Sequence, residues 1–119
     1  MSADQISRQF LEHYYNTFDA DRKALAPLYT PQSVLTWEGK AIQGKDNIIN
    51  HVSSLPFQNV KRRLNTLDYQ PTSNGLMIMA TGDLSIDGGN PMKFTHIFHL
   101  VNNAGAFNLM NEFLRLNLE

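Results

Sequence analysis

The sequence predicts an α+β domain in which three helices come first and a bent, mainly antiparallel sheet follows. In the first half of the chain, apolar side chains recur at helical spacing. In the second half they alternate with a period of two, over four long runs joined by short turns. Helices that precede strands favour a helical layer on one face of a sheet, and short connections favour an antiparallel meander.

Length and composition limit the class of protein. The chain has 119 residues, which predicts a single domain over 1–119. Apolar residues make up 42% and charged residues 18%, as in a globular protein. The net charge of −1 argues against a nucleic-acid or anionic-membrane surface, and no apolar run reaches the roughly 20 residues of a membrane span. Because cysteine is absent, a disulfide framework and a thiolate metal site are excluded, and we expect no cofactor.

The helices are predicted from apolar stripes and from their end signals. Ser2 and Gln5 form a capping box ahead of an aromatic-rich stripe suited to covering a sheet. Pro27 falls too late for a first helical turn, so the second helix is short or irregular. Pro56 stops the third. The predicted helices span 3–18, 22–28 and 45–55.

The strands are predicted as a short hairpin between the second and third helices and as four long runs after them. The hairpin folds 34–37 onto 41–43 around the turn signal Glu38-Gly39. Strict alternation places Asp68 on the face of Arg62, and Leu109 on the face of Phe113. The long runs are 60–70, 76–86, 92–101 and 107–118.

The last three runs are apolar on both faces, although one layer of helices covers only one face. Met77 and Met79 lie opposite Leu76, Ile78 and Ala80. An uncovered face of this kind exposes a larger apolar patch than monomers tolerate. We therefore predict a homodimer formed sheet against sheet across a two-fold axis. The alternative is that strand curvature turns both faces inward.

The hairpin also predicts a binding site. Trp37, the only tryptophan, stands beside Glu38 at the end of the first hairpin strand. An aromatic ring followed by a carboxylate suits the mouth of a cavity, where the ring supplies apolar wall and the carboxylate fixes a cation. The alternative interpretation is that Trp37 only fills the core and Glu38 is a solvated turn residue.

Several stretches together resemble the nuclear transport factor 2 family, and the resemblance covers essentially the whole chain. The most specific are SLPFQ after the third helix and FLRLN at the end. The resemblance implies a cone-shaped, cystatin-like roll with three helices, a bent sheet, an apolar cavity and dimerisation through the sheet. The stretches are HYYNTFDADR (13–22), LTWEGKAIQGKDNI (35–48), SLPFQNVKRRLNTLDYQP (54–71), TGDLSIDGGNP (81–91) and FNLMNEFLRLN (107–117).

The resemblance also implies a function, that of a non-enzymatic carrier. Such a protein binds the GTPase Ran in its GDP form and FG-repeat nucleoporins, and returns Ran to the nucleus. Its expected location is the cytoplasm and nucleus, enriched at the nuclear envelope. In the family, an aromatic side chain of Ran enters the cavity and flanking basic residues pair with acidic ones at the rim. The matching positions are Trp37 on the wall, with Glu38 and Asp87 at the rim.

Two positions depart from the family pattern. The rim loop 87–90 carries one acidic residue, Asp87, where more than one is usual. We expect Ran binding to be weaker by about 1 kcal/mol if the lost ion pair is exposed. Ala3 stands where a large apolar residue usually helps to hold the FG repeat, and the helical spacing of Ile6 and Phe10 favours a core role for them.

Two other functions stay open on the sequence: a dehydratase or isomerase that uses the same cavity, and a dimerising adaptor without a Ran role. For the enzyme, Asp68 with His96 is the pair worth testing. His96 and His99 are three apart in a strand, so they face opposite sides and cannot share a metal. The basic cluster 61–63 is interpreted as part of a solvated strand.

Overall fold

The computed structural model describes residues 1–117, so Leu118 of the predicted last strand lies outside the described residues. All the predicted helices and strands are present, close to their predicted bounds. A 3-10 helix follows the first α-helix, and the irregularity expected from Pro27 is confirmed. The elements are α1 (Ala3–Ala20), the 3-10 helix (Arg22–Leu28), β1 (Val34–Trp37), β2 (Lys40–Gln43), α2 (Lys45–Ser53), β3 (Val60–Thr72), β4 (Gly75–Ile86), β5 (Met92–Asn103) and β6 (Ala106–Asn117).

The six strands form one curved, open sheet in the order β2-β1-β6-β5-β4-β3. The four long strands pair antiparallel with their sequence neighbours, as the meander prediction requires. The hairpin joins this meander through β1, which lies parallel to β6 with Leu35 opposite Glu112. The fold is therefore α+β with a mainly antiparallel sheet, and the hairpin turn comes to lie beside the end of β6.

Helix α1 begins and packs as its sequence predicts. The Ser2 hydroxyl accepts a hydrogen bond from the Gln5 backbone N–H at 3.1 Å, and the Gln5 side chain accepts one from Ser2 N–H at 2.9 Å. The aromatic stripe then lies on the sheet: the rings of Phe10 and Tyr14 each meet the Phe98 ring at 5.1 Å between centroids. These edge-on contacts join α1 to β5.

Two bulges change which residues share a face, and both correct the strict alternation expected from the sequence. In β3 the register shifts between Leu64 and Thr66, which moves Asp68 to the face opposite Arg62. In β6 one extra residue, Met110, lies between the partners of Leu100 and His99. Leu109 is therefore buried and Phe113 is 48% exposed, so the prediction that they share a face is wrong.

The sheet has one covered and one uncovered face. The helices pack on the inner face, where the core contains Tyr14, Ile78 and Phe98. The outer face of β4 to β6 exposes apolar side chains, with Met77 39%, Met79 37% and Phe113 48% accessible. Over residues 1–117, none of the helices is both long and apolar enough for a membrane crossing.

A candidate binding cavity

An apolar cavity of about 120 Å³ lies between the inner face of the sheet and the helices. Its deeply buried part includes Tyr14, Phe94 and His96, and its exposed part includes Glu38. Both the helical layer and the sheet supply apolar wall residues, so the cavity exists only when the helices and the curved sheet are assembled. The main apolar lining residues are Trp37, Phe57, Val60, Leu84, Ile86 and Leu114.

The hairpin places the two predicted site residues together. Glu38 and Gly39 have backbone φ angles of 50° and 85°, which is the left-handed geometry of a two-residue hairpin turn. Trp37, directly before this turn, lines the cavity and meets the His51 ring edge-on at 5.3 Å. Glu38 also lines the cavity, and its Oε1 accepts a hydrogen bond from Leu116 N–H at 2.5 Å. Trp37 is therefore cavity wall, and the turn holds Glu38 at the exposed end.

Asp87 lies close to the cavity without lining it. It follows the lining residue Ile86 at the end of β4, in a turn where its own φ is 49°. Its Oδ1 accepts hydrogen bonds from the backbone N–H groups of Gln58 at 3.1 Å and Asn59 at 2.8 Å. One carboxylate oxygen thus fixes the loop between α2 and β3, which carries the wall residue Phe57.

A buried carboxylate, that of Glu112 on β6, lies behind the deep end of the cavity and is 1% exposed. Its Oε2 accepts hydrogen bonds from the Tyr14 hydroxyl and from His96 Nε2, both at 2.6 Å. Its Oε1 accepts one from the Tyr29 hydroxyl at 2.5 Å. The Tyr15 hydroxyl lies 3.0 Å from the other ring nitrogen of His96, Nδ1. We call Glu112 with its three direct donors and Tyr15 the Glu112 network. It joins α1, the residue that caps the 3-10 helix, β5 and β6.

Electrostatics set the protonation of this network. Burial lowers the pKa of His96, although Glu112 opposes the shift, so the ring carries one N–H at neutral pH. Because a carboxylate only accepts, that N–H is on Nε2 and Nδ1 accepts from the Tyr15 hydroxyl. Burial first, and then the Glu112 charge, raises the pKa of Tyr14 and of Tyr29. Burial likewise raises the pKa of Tyr15, against the lowering effect of Arg62.

Arg62 contributes a cation to the cavity wall. Its guanidinium lies over the Tyr15 ring at 4.4 Å, and its Nη1 donates to Asp19 Oδ1 at 2.8 Å. Arg63, its neighbour in the basic cluster, points to the outer face and pairs with Asp83 at 3.1 Å. The side chains of Arg62 and Arg63 thus lie on opposite faces of the sheet, and each forms its own ion pair. This arrangement is typical of a strand and argues against a localisation signal at 61–63.

The pair suggested for an enzyme is not assembled. Asp68 lies opposite Met79 on the outer face, whereas His96 is buried on the inner face. Within residues 1–117, the structure contains no group of three or more His, Cys, Asp or Glu side chains suited to a metal ion.

Sequence reasoning missed the Glu112 network and the role of Arg62. Arg62 is one of three consecutive basic residues in a largely polar strand and does not stand out there, whereas Glu112 is a charge within a largely apolar strand. A charge at such a position is a detectable signal, because an inward-facing charge needs a partner. Its partners could not be named, since Tyr14 and Glu112 are 98 positions apart in the chain.

Comparison with known proteins agrees with this architecture. A family model described as the nuclear transport factor 2 (NTF2) domain matches residues 6–116. Nuclear transport factor 2 of Dictyostelium discoideum is 46% identical, with 96% of this chain and 92% of the relative covered. Its counterpart from Saccharomyces cerevisiae is 44% identical, with 94% and 92% covered.

A solved structure extends the likeness to three dimensions. Nuclear transport factor 2 from Cryptosporidium parvum superimposes with a TM-score of 0.91 at 46% identity, covering 96% of this chain and 94% of that one. These relatives are named as transport factors and not as enzymes. Since the family model and the relatives span nearly all of the sequence, this chain belongs to the nuclear transport factor 2 family.

Proposed function

We propose that this protein is a nuclear transport carrier that binds Ran in its GDP form and FG-repeat nucleoporins, and so returns Ran to the nucleus. It acts by binding alone, without chemistry on its cargo. It works in the cytoplasm and the nucleus and concentrates at the nuclear envelope, where the nucleoporins are. The observation that carries the proposal is an apolar cavity with Trp37 in its wall and Glu38 at its exposed end.

The size and lining of the cavity support insertion of an aromatic side chain. A cavity of about 150 Å³ in another protein accepts benzene, and the volume here is about 120 Å³. The two volumes are similar, and the cavity here opens at the exposed residue Glu38, so it is suited to one phenyl ring from a Ran switch segment, with apolar contacts on several sides. Buried aromatic anchors of this kind dominate the energy of many interfaces.

The charges around the exposed end support a partner segment with flanking cations. Within residues 1–117, Leu116 N–H is the hydrogen-bond donor to the Glu38 carboxylate and uses one oxygen, so the other can accept from a lysine or arginine of Ran. In the same described part of the chain, the donors to Asp87 are two backbone N–H groups on Oδ1, so its second oxygen can accept in the same way. Binding to the GDP form follows if only that switch conformation presents the ring and the cations together.

FG-repeat binding and dimerisation belong to the same proposal. Ala3, Ile6 and Phe10 pack partly against the core, so they offer little free surface to an FG repeat. The FG contacts are therefore assigned to no residue. The outer face of β4 to β6 is the surface proposed to join two copies, since it carries the exposed apolar side chains.

A binding assay with both nucleotide forms tests the carrier function. Immobilised protein should retain Ran loaded with GDP and fail to retain Ran loaded with GTP. Glu38→Lys should weaken retention of the GDP form at least tenfold, because a cation then faces the cations of Ran. Glu12→Lys is the matched control, since Glu12 is an exposed glutamate on α1 outside the cavity lining. Equal retention of both nucleotide forms, or full binding by Glu38→Lys, overturns the proposal.

A further inference from the structure

The deep end of the cavity has a polar atom that the carrier function does not use, the Tyr15 hydroxyl oxygen. Tyr15 and His96 both line the cavity, and the Tyr15 hydroxyl lies 3.0 Å from His96 Nδ1. His96 Nε2 donates to Glu112 at 2.6 Å, so Nδ1 is the acceptor and the Tyr15 proton points to it. The Tyr15 hydroxyl therefore donates its proton to His96 Nδ1, but the hydroxyl oxygen also has two lone pairs that can accept hydrogen bonds.

The surroundings of Tyr15 leave that acceptor capacity open. Among residues 1–117, His96 is the hydrogen-bond partner found for the Tyr15 hydroxyl. Arg62 approaches the face of the Tyr15 ring at 4.4 Å from its centroid, and its Nη1 donates to Asp19. A ligand that carries a hydroxyl donor beside an apolar body can therefore use Tyr15 Oη as its acceptor.

Volume and charge limit that ligand further. A volume of about 120 Å³ is close to the roughly 150 Å³ of a cavity that accepts benzene, so it is suited to one six-membered ring and small for two fused rings. An anionic ligand is disfavoured, because Glu112 is buried behind the deep end and Glu38 stands at the exposed end. The guanidinium of the wall residue Arg62 does not offset these charges, since it is already paired with Asp19 at 2.8 Å. A charged group of either sign would also lose its hydration among apolar walls.

We propose that this cavity binds free, neutral, one-ring phenols, with the ring against Trp37 and Phe94 and the phenol hydroxyl donating to Tyr15 Oη. The site is the cavity assigned above to Ran, so an occupying phenol competes with the inserted aromatic side chain. Binding of the phenol itself requires no protein partner. The proposal thus adds a small-molecule ligand to a cavity interpreted as a protein-binding site.

Titrations of the protein with phenol and with benzene test the proposal. Binding is measured by calorimetry and by the change in the NMR shift of the Trp37 indole N–H. The unmodified protein should bind both, whereas benzoate and 2-naphthol should not bind. Tyr15→Phe should weaken phenol binding about tenfold, as expected for one lost hydrogen bond, and change benzene binding less than twofold. Tyr69→Phe is the matched control, since Tyr69 is an exposed tyrosine on β3 outside the cavity lining.

Two outcomes overturn the proposal: absence of phenol binding, or equal effects of Tyr15→Phe on phenol and benzene. If Tyr15→Phe does not fold, Ile86→Trp provides a second test by filling the cavity from a partly buried wall position. Phenol binding that survives Ile86→Trp also overturns the proposal. Phenol binding without Ran binding rejects only the carrier function, and Ran binding without phenol binding rejects only the phenol site.

Discussion

Glu112 is the residue on which the deep end of the cavity depends. It is a buried carboxylate that accepts three hydrogen bonds from neutral donors, from Tyr14, Tyr29 and His96. An arrangement of this kind keeps a charge inside a protein because each donor offsets part of the lost hydration. It also means that the network tolerates no loss of acceptor capacity at this position.

Glu112→Gln tests this dependence. The amide replaces one acceptor oxygen by an NH₂ group, so a hydroxyl that meets it must accept instead of donate and its own proton loses its acceptor. The negative charge that strengthens all three hydrogen bonds is also lost. We expect the free energy of unfolding to fall by about 2–4 kcal/mol in denaturant titrations. Glu12→Gln, the same change at an exposed position of α1, should cost less than about 0.5 kcal/mol. Similar small losses in both variants would mean that the Glu112 network contributes little to stability.

His96 makes stability depend on pH on the acidic side. Burial lowers its pKa below the ordinary value of 6.5, while the unfolded chain keeps that value. The unfolded chain therefore binds more protons, so stability is complete above about pH 6.5 and falls as the pH drops through that value. Burial and then Lys40 lower the pKa of His51 in the same direction, which adds to the effect with the same sign.

His96→Gln isolates the contribution of this one group. The amide can donate to Glu112 and accept from Tyr15 but does not titrate. We expect the decline of the denaturant midpoint between about pH 7 and pH 5 to become shallower in this variant. His13→Gln, at an exposed position on α1, should keep the steeper decline of the unmodified protein. An unchanged slope in His96→Gln would assign the acid sensitivity to other groups.

At the scale of elements, the 3-10 helix holds the loop that follows α2. Arg22 donates from Nη2 to Phe57 O at 2.6 Å, and from Nη1 to Val52 O at 3.3 Å and Leu55 O at 3.4 Å. Its guanidinium also lies over the Phe57 ring at 4.8 Å. A cation that donates to the last carbonyls of a helix also complements the helix dipole. The cavity wall at Phe57 thus depends on a residue outside the cavity.

Arg22→Ala should lower the free energy of unfolding by about 2–3 kcal/mol, because charge-assisted hydrogen bonds and a cation–π contact are lost together. Arg22→Lys should recover only part of this, since one ammonium cannot reach all three carbonyls in the fork geometry of a guanidinium. Lys23→Ala, at the next and exposed position of the same helix, should change stability by less than about 0.5 kcal/mol. Chemical denaturation of the three variants measures these differences.

The elements themselves were predictable because each is specified by neighbouring residues. The capping box of α1 needs Ser2 and Gln5, and the hairpin turn needs Glu38 and Gly39. Alternation over long runs was enough for the meander, since short connections leave few other topologies. The placement of Trp37 and Glu38 in the cavity lining follows from the same local pattern.

The faces of the strands and the Glu112 network were not predictable in the same way. A bulge residue has no special amino-acid type, so nothing in the sequence marked Met110 as the unpaired residue of β6. Only the pairing with β5 shows it. That residue decides whether Leu109 is buried or exposed. The Glu112 network combines donors from three separate parts of the chain, and a carboxylate takes such a place only when all of them are assembled.

At the scale of the whole molecule, the two faces of the sheet differ in what covers them. The inner face carries the helices and the cavity, and the outer face carries exposed apolar side chains that include Met77, Met79 and Phe113. A stable interface takes about 800 Å² from each partner, and three adjacent long strands provide a surface of that order. Since β6 supplies Phe113 to one face and Glu112 to the other, dimerisation should also stiffen the strand beneath the cavity.

Met79→Asp should convert the proposed homodimer into a monomer. Two-fold symmetry places both copies of the new carboxylate in one interface, where each loses hydration without gaining a cation. Sedimentation velocity at about 10 µM should give a dimer for the unmodified protein and a monomer for Met79→Asp, a loss of at least 100-fold in dimer affinity. Leu64→Asp makes the same kind of change at an exposed leucine, 42% accessible, away from the outer face, and should stay dimeric. If the unmodified protein sediments as a monomer, or if Met79→Asp remains a dimer, the outer face is not the contact surface between copies.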